Sequence, residues 1–147
     1  MARVSLIRLK TNDPYVYNID DSVGPGAPNR RDDVLLVQYF LKSINDKRDA
    51  ASPRFAPLPL APSEVFKVDG VAGPITFRAI KHFQQQAAQQ GRKVVADGRV
   101  DKVTTTNVPN TLSVLNNFYF ILRRADFANI AMAADCPNDL KASISLA

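Results

Sequence analysis

Carboxylates are the only side chains in this sequence that could do chemistry in pairs. Asp20-Asp21, Asp32-Asp33 and the separated Asp69 and Asp97 are the candidates. Glycoside hydrolysis needs two carboxyls, one of them kept protonated in an apolar pocket. The chain holds one glutamate, Glu64, set in a proline-rich stretch. The aspartates fall in turns and at helix starts, where a short carboxylate already bonds local backbone. His82 is the only histidine and Cys136 the only cysteine, so no metal-ligand cluster can be assembled. Cys136 reads as a small semi-buried apolar side chain, not as a nucleophile. His82 falls off the apolar stripe of its helix, which makes it a surface residue. SVGPGAPN, Ser22 to Asn29, lacks the glycine spacing of a nucleotide-binding loop, and no nucleophile elbow or P-loop is present. The residues argue against an enzyme and call for neither metal nor cofactor.

The polar residues that stand out are two amides in apolar stripes. Val34, Val37, Gln38 and Leu41 share one helical face, and so do Ile80, Phe83, Gln84 and Ala87. A buried amide must be hydrogen-bonded, so each glutamine is expected to tie down nearby backbone. The backbone in need of partners is close at hand. Asp69-Gly70 and Asp97-Gly98 are turn pairs, and Gly73-Pro74 is a second break after the first of them. Pro74 suits a first helical position, where its missing N–H has no helical partner anyway. The chain is thus expected to alternate helix, Asp-Gly turn, helix, Asp-Gly turn, helix.

This order, with Asp69-Gly70-Val71-Ala72-Gly73-Pro74-Ile75-Thr76 followed by Ala79, Ile80, Phe83 and Gln84, resembles the three-helix peptidoglycan-binding domain. That module is often attached to cell-wall amidases, carboxypeptidases and phage lysins. The likeness covers roughly Ser22 to Leu122. The second turn departs from the pattern: Asp101 stands where the first turn has Gly73, with no Pro-x-Thr after it. The resemblance implies a mainly α fold, a three-helix bundle. It also implies a shallow groove beside the turns that takes the glycan-peptide wall polymer. Candidate ligand-binding residues are Asp69, Gly70, Gly73, Thr76, Arg78, Asp97 and Gly98, with Gln38 and Gln84 as structural amides. For Asp69 and Asp97 a turn-building role outweighs direct contact with sugar.

The flanks lie outside that pattern. Ala2 to Lys10 and Tyr15 to Ile19 alternate, which predicts an added β-hairpin arm over 1–21. Asn29, with Asp32 three residues on, is a candidate capping box for a helix from about Arg30 to Ser43. The bundle spans 22–126, interrupted at 45–63 by a loop carrying Pro53, Pro57, Pro59 and Pro62. Phe55, Leu58 and Leu60 give that loop apolar anchors, so it is expected to pack on the body or on a partner. The second helix should run from Pro74 to Gln90 and stop at Gly91, with Gln85, Gln86, Gln89 and Gln90 solvated. The third should run from near Pro109 to about Arg124. Residues 127–147 form an extension with a short last helix opened by Pro137.

Composition suits one compact domain: 147 residues, 46% hydrophobic, 22% charged. No apolar run is long enough to cross a bilayer, and MARVSLIRLK lacks the features of a signal peptide. The net charge of +5 favours anionic partners in general. The basic residues come as scattered pairs (Arg30-Arg31, Lys47-Arg48, Arg92-Lys93, Arg123-Arg124) with no aromatic stripe, which argues against nucleic acid. The expected function is a non-catalytic peptidoglycan-binding module. The alternative is a structural component of a phage particle or secretion apparatus, built on the same fold and bound to other subunits. Either would be made in the cytoplasm and act at the wall or within such a particle.

Overall fold

The computed structural model describes residues 3–5, 16–51, 54–104 and 109–145. Within them the chain is mainly helical: α1 (Arg31–Asp46), α2 (Pro74–Gln89), α3 (Thr111–Leu122), α4 (Arg124–Phe127) and α5 (Asn138–Ser145). Single 3-10 turns occur at Arg48–Ala50 and Ile130–Met132. β1 (Arg3–Ser5) and β2 (Val16–Asn18) pair antiparallel, with Val4 opposite Tyr17. The rest of the expected hairpin, 6–15, lies outside the described residues, as do Ser52, Pro53 and 105–108.

Helix α1 is the centre. A surface helix buries one stripe, but α1 buries an almost unbroken run, Asp33 to Leu41, with Ser43 and Ile44 beyond. It does so because α2, α3 and α5 all pack against it. It begins one residue and ends three residues beyond the expected limits, since Ile44 still has core to bury. Its cap also differs from expectation. Arg30 holds the cap position and gives no side-chain bond. Asn29 instead takes a left-handed conformation, φ 50°, which asparagine tolerates better than most residues. From there its amide receives the Gly24 N–H at 2.8 Å and donates to the carbonyls of Gly24 and Ala27. The Asn29 side chain closes the preceding loop and so cannot cap the helix.

Helix α2 ends one residue before the expected limit, in a Schellman turn. Arg92 N–H bonds the Ala87 carbonyl and Gly91 N–H that of Ala88, with Gly91 at φ 82°. Helix α3 starts after Pro109, because Asn110 and Ser113 form a reciprocal capping box. The helix stops at Leu122, where Arg123 leaves helical geometry before α4 begins.

Strand β2 lies in the core: Val16, Tyr17 and Ile19 are fully buried or nearly so. β1 satisfies one edge of it; asparagine side chains satisfy other groups. Asn116 of α3 accepts the Tyr17 N–H at 2.8 Å and donates to the Tyr17 carbonyl at 3.0 Å. Asn18 brackets both backbone groups of Val103 at 2.9 Å. The Tyr17 hydroxyl reaches further, donating to the Phe127 carbonyl and receiving the Ile130 N–H. The C-terminal segment is drawn into the same core through Phe127, Ile130, Leu140 and Ile144.

The proline-rich loop packs on its own domain. Phe55 is only 6% exposed, stacked on Phe83 and edge-on to Phe118. Two residues expected at the surface of α2 hold it there. Gln86 Oε1 accepts the Ala56 N–H at 3.0 Å, and His82 Nε2 meets the Ala56 carbonyl at 2.9 Å. Spaced i and i+4, they share a helical face and hold both backbone polar groups of one residue, Ala56.

Elsewhere in the core, the hydroxyls of Tyr39 and Tyr119 lie 3.0 Å apart, and Tyr39 donates to Asp135 at 2.8 Å. Arg123 stacks over both rings and forks to Asp126 and Asp135. Burial pushes the Tyr119 phenol up to about 12. Burial and the hydrogen bond shared with Tyr119 push Tyr39 higher still. Arg123, with burial opposing it, holds Asp135 below the usual carboxylate range.

Candidate ligand grooves beside two Asp-Gly turns

The two glutamines build two corners of the same design. Gln38 Oε1 accepts the N–H groups of Asp69 (3.1 Å) and Gly70 (2.8 Å). Its Nε2 donates to the Val71 carbonyl and the Thr76 hydroxyl, both at 3.0 Å, and to Asp69 Oδ1 at 3.3 Å. Gln84 Oε1 accepts the Gly98 N–H at 2.8 Å. Its Nε2 donates to the Arg99 carbonyl and the Thr111 hydroxyl at 3.0 Å, and to Asp97 Oδ1 at 3.1 Å. Each aspartate accepts the N–H two residues on, from Val71 at 3.0 Å and from Arg99 at 2.9 Å. Both glycines sit at φ 77°, a conformation that favours glycine. No buried side-chain donor or acceptor lacks a partner among the described residues. A buried polar network of this kind fixes one geometry because each unmade bond would leave a desolvated group.

Thr111 was not singled out in the sequence. It lies twice as far beyond its turn as Thr76 does, so no fixed spacing marks it. The usable signal is Gln84 itself: its amide needs the same set of partners as that of Gln38, including a hydroxyl at the start of the next helix.

An open groove lies beside each corner. The first, about 410 Å³, runs between the extended stretch from Ser63 to Asp69 and the start of α2. Asp69, Gly73 and Thr76 line it, with Glu64, Lys67 and Val71. Gly70 is buried behind the turn, and a Cβ there would meet the Arg31 side chain at 2.6 Å. Arg78 does not line this groove. It pairs with Glu64 at 2.7 Å and reaches the Pro59 carbonyl, so it braces the wall from behind. That pairing, with the Ala61 N–H, holds the Glu64 carboxyl below its ordinary range.

The second groove is smaller, about 170 Å³, and is lined by Asp97, Thr111, Lys93, Val95, Arg99 and Asp101 among others. Gly98 is buried and takes no part in its lining. Burial raises the Asp101 pKa, but the Ser22 hydroxyl and Arg99 outweigh it and hold the carboxyl low. Before each aspartate the chain alternates outward and inward. Val65, Lys67 and Asp69 face out in the first corner; Lys93, Val95 and Asp97 do so in the second. Each groove therefore offers one ammonium, two valines and two carboxylates, and the second adds the Arg99 guanidinium. Such a surface can bind a ligand carrying both charges on a small apolar frame. The described residues contain no group of acidic, histidine or cysteine side chains placed to hold a metal ion.

Comparison with known proteins found no family, no curated protein and no solved structure that matches the chain.

Proposed function

We propose that this chain is a non-catalytic module that binds peptidoglycan, its three long helices arranged as in the domain it resembles. The observation that carries the reading is the repeated corner: glutamine, Asp-Gly turn and threonine, each beside an open groove of mixed charge. The wall polymer's peptide carries carboxylates, amines and methyl groups, which suit the ammonium, carboxylates and valines each groove presents. The first groove is the larger and is the principal site in this reading. The decisive experiment is co-sedimentation with purified sacculi, with Lys67→Glu as the variant. Saturable pelleting that Lys67→Glu weakens supports the reading; a protein that stays in the supernatant refutes it. Sacculi incubated with the protein should release no muropeptides and no reducing sugar.

A second reading, a structural component of a phage particle or secretion apparatus, draws on two exposed apolar residues. Ile121 and Met132 stand 57% and 79% exposed. The loop and the C-terminal segment pack on the domain itself, so these positions are what such an assembly would cover. Size exclusion with co-expressed neighbouring gene products would show a shared complex that Met132→Glu breaks.

A further inference from the structure

The two corners match in their glutamine, turn and threonine, but not in what lies beside them. Beyond the second turn, Val100 forms an isolated antiparallel bridge with Val23. Val23 N–H donates to the Val100 carbonyl at 2.9 Å, and Val100 N–H donates to the Val23 carbonyl at 2.7 Å. The equivalent residue of the first corner, three positions past its aspartate, is Ala72. Its N–H and carbonyl form no hydrogen bond among the described residues. Ala72 is part-exposed and is flanked by Val71 and Gly73, both of which line the first groove. Backbone groups left unpaired at an edge are a template for an added strand.

We propose that Ala72 is a docking edge for an extended segment of a partner protein, which forms there the bridge that Val23 forms on Val100. The molecule carries its own template for the occupant. Gly24 follows Val23 and lies so close to the second turn that a Cβ on it would stand 2.8 Å from the Gly98 carbonyl. The docked segment therefore needs a glycine after its bridging residue, opposite the Gly70 carbonyl. One neighbour differs. Pro25 is the side chain nearest Gly98, whereas the half-exposed guanidinium of Arg31 stands beside Gly70. Arg31 already pairs with Asp139 at the exposed surface, and an acidic residue after the glycine would exchange with that partner, so the segment read by this edge is apolar, glycine, acidic. This edge adjoins the first groove, but the proposal does not rest on wall binding and stands or falls separately.

The test uses the intact protein and a synthetic probe, acetyl-Ser-Val-Gly-Asp-Gly-Ala-amide, titrated while backbone amide resonances are followed. The expected result is a saturable shift of the Ala72 amide, with Val71 and Gly73 moving in step. Two control peptides keep the protein unchanged. N-methylation of the peptide valine deletes one of the two bridging bonds and should weaken binding about tenfold. Valine in place of the first peptide glycine should abolish it, because the added side chain meets the turn. Shifts at Val100 without any at Ala72 would mean only that the probe displaces Val23, and would overturn the proposal. So would an Ala72 shift that N-methylation leaves untouched, or no shift at all.

Discussion

Gln84 Nε2 lies 3.0 Å from the Thr111 hydroxyl, the same distance at which Gln38 Nε2 meets Thr76. In each corner one amide joins a turn to the first turn of the following helix. Replacing either glutamine by leucine keeps the volume but strands backbone N–H and carbonyl groups in a dry site. Gln38→Leu and Gln84→Leu should each cost about 1–3 kcal/mol. Denaturant titration checks this, and an unchanged midpoint in both variants would count against the corners as stability elements.

The turn glycines should respond unequally. Alanine at either site is forced to positive φ, a cost of about 1–2 kcal/mol. At Gly98 the nearest atom to a new Cβ is Pro25 Cδ at 3.8 Å, an ordinary contact. At Gly70 the Cβ would stand 2.6 and 2.7 Å from Arg31 atoms, so that side chain must leave its bonds to Asp69 and Asp139. Gly70→Ala should therefore destabilise more than Gly98→Ala; equal melting temperatures would be the wrong outcome.

Phe55→Ala should lower stability by about 3–5 kcal/mol, the range for emptying an aromatic site in a core. The ring packs against Phe83 and Phe118 of its own domain, so the loss belongs to folding and not to assembly. A variant that unfolds at the wild-type denaturant concentration would show that the ring contributes little there.

The Arg123–Asp135 pair sets an acid limit. Asp135 has a folded-state pKa below its unfolded value, near 3.9. Its contribution is therefore fully present above that value and lost as pH falls through the lower folded value. The melting-temperature gap between the wild type and Asp135→Asn should be largest at neutral pH and shrink below about pH 4. Tyr119 acts in the opposite direction. With a folded-state pKa raised to about 12, its contribution is present below about pH 10 and disappears as pH rises through the folded value. A gap that stays constant down to strong acid would remove the Asp135 argument.

Much of the corner design was legible because glutamine in an apolar stripe is a conflict that only a buried bonding network resolves. Val34, Val37 and Leu41 placed Gln38 inward, and the Asp-Gly pairs placed the partners. Thr111 was hidden because its distance along the chain follows from a loop with no pattern of its own. Periodicity alone makes Gln86 and His82 solvent-facing, because it sees only a helix's own stripe and not a loop that lies across it. The burial of β2 was hidden for a related reason. The residue that completes it, Asn116, is polar and on a helix, and nothing near Tyr17 announces it. Asn29 fitted a capping signature, but the tight Gly24–Ala27 loop made a stronger demand on its amide.

Asn116 also carries a consequence for synthesis. It meets Tyr17 across a separation of 99 positions, and Asn18 meets Val103 across 85. At ribosomal rates that interval is roughly 5–20 s, during which Val16, Tyr17 and Ile19 have no helix α3 to cover them. Such distant closures are also the slowest to form after release. The nascent chain must therefore carry β2 without its α3 cover until Asn116 has been made, which leaves this early strand exposed to chaperones and to mispairing.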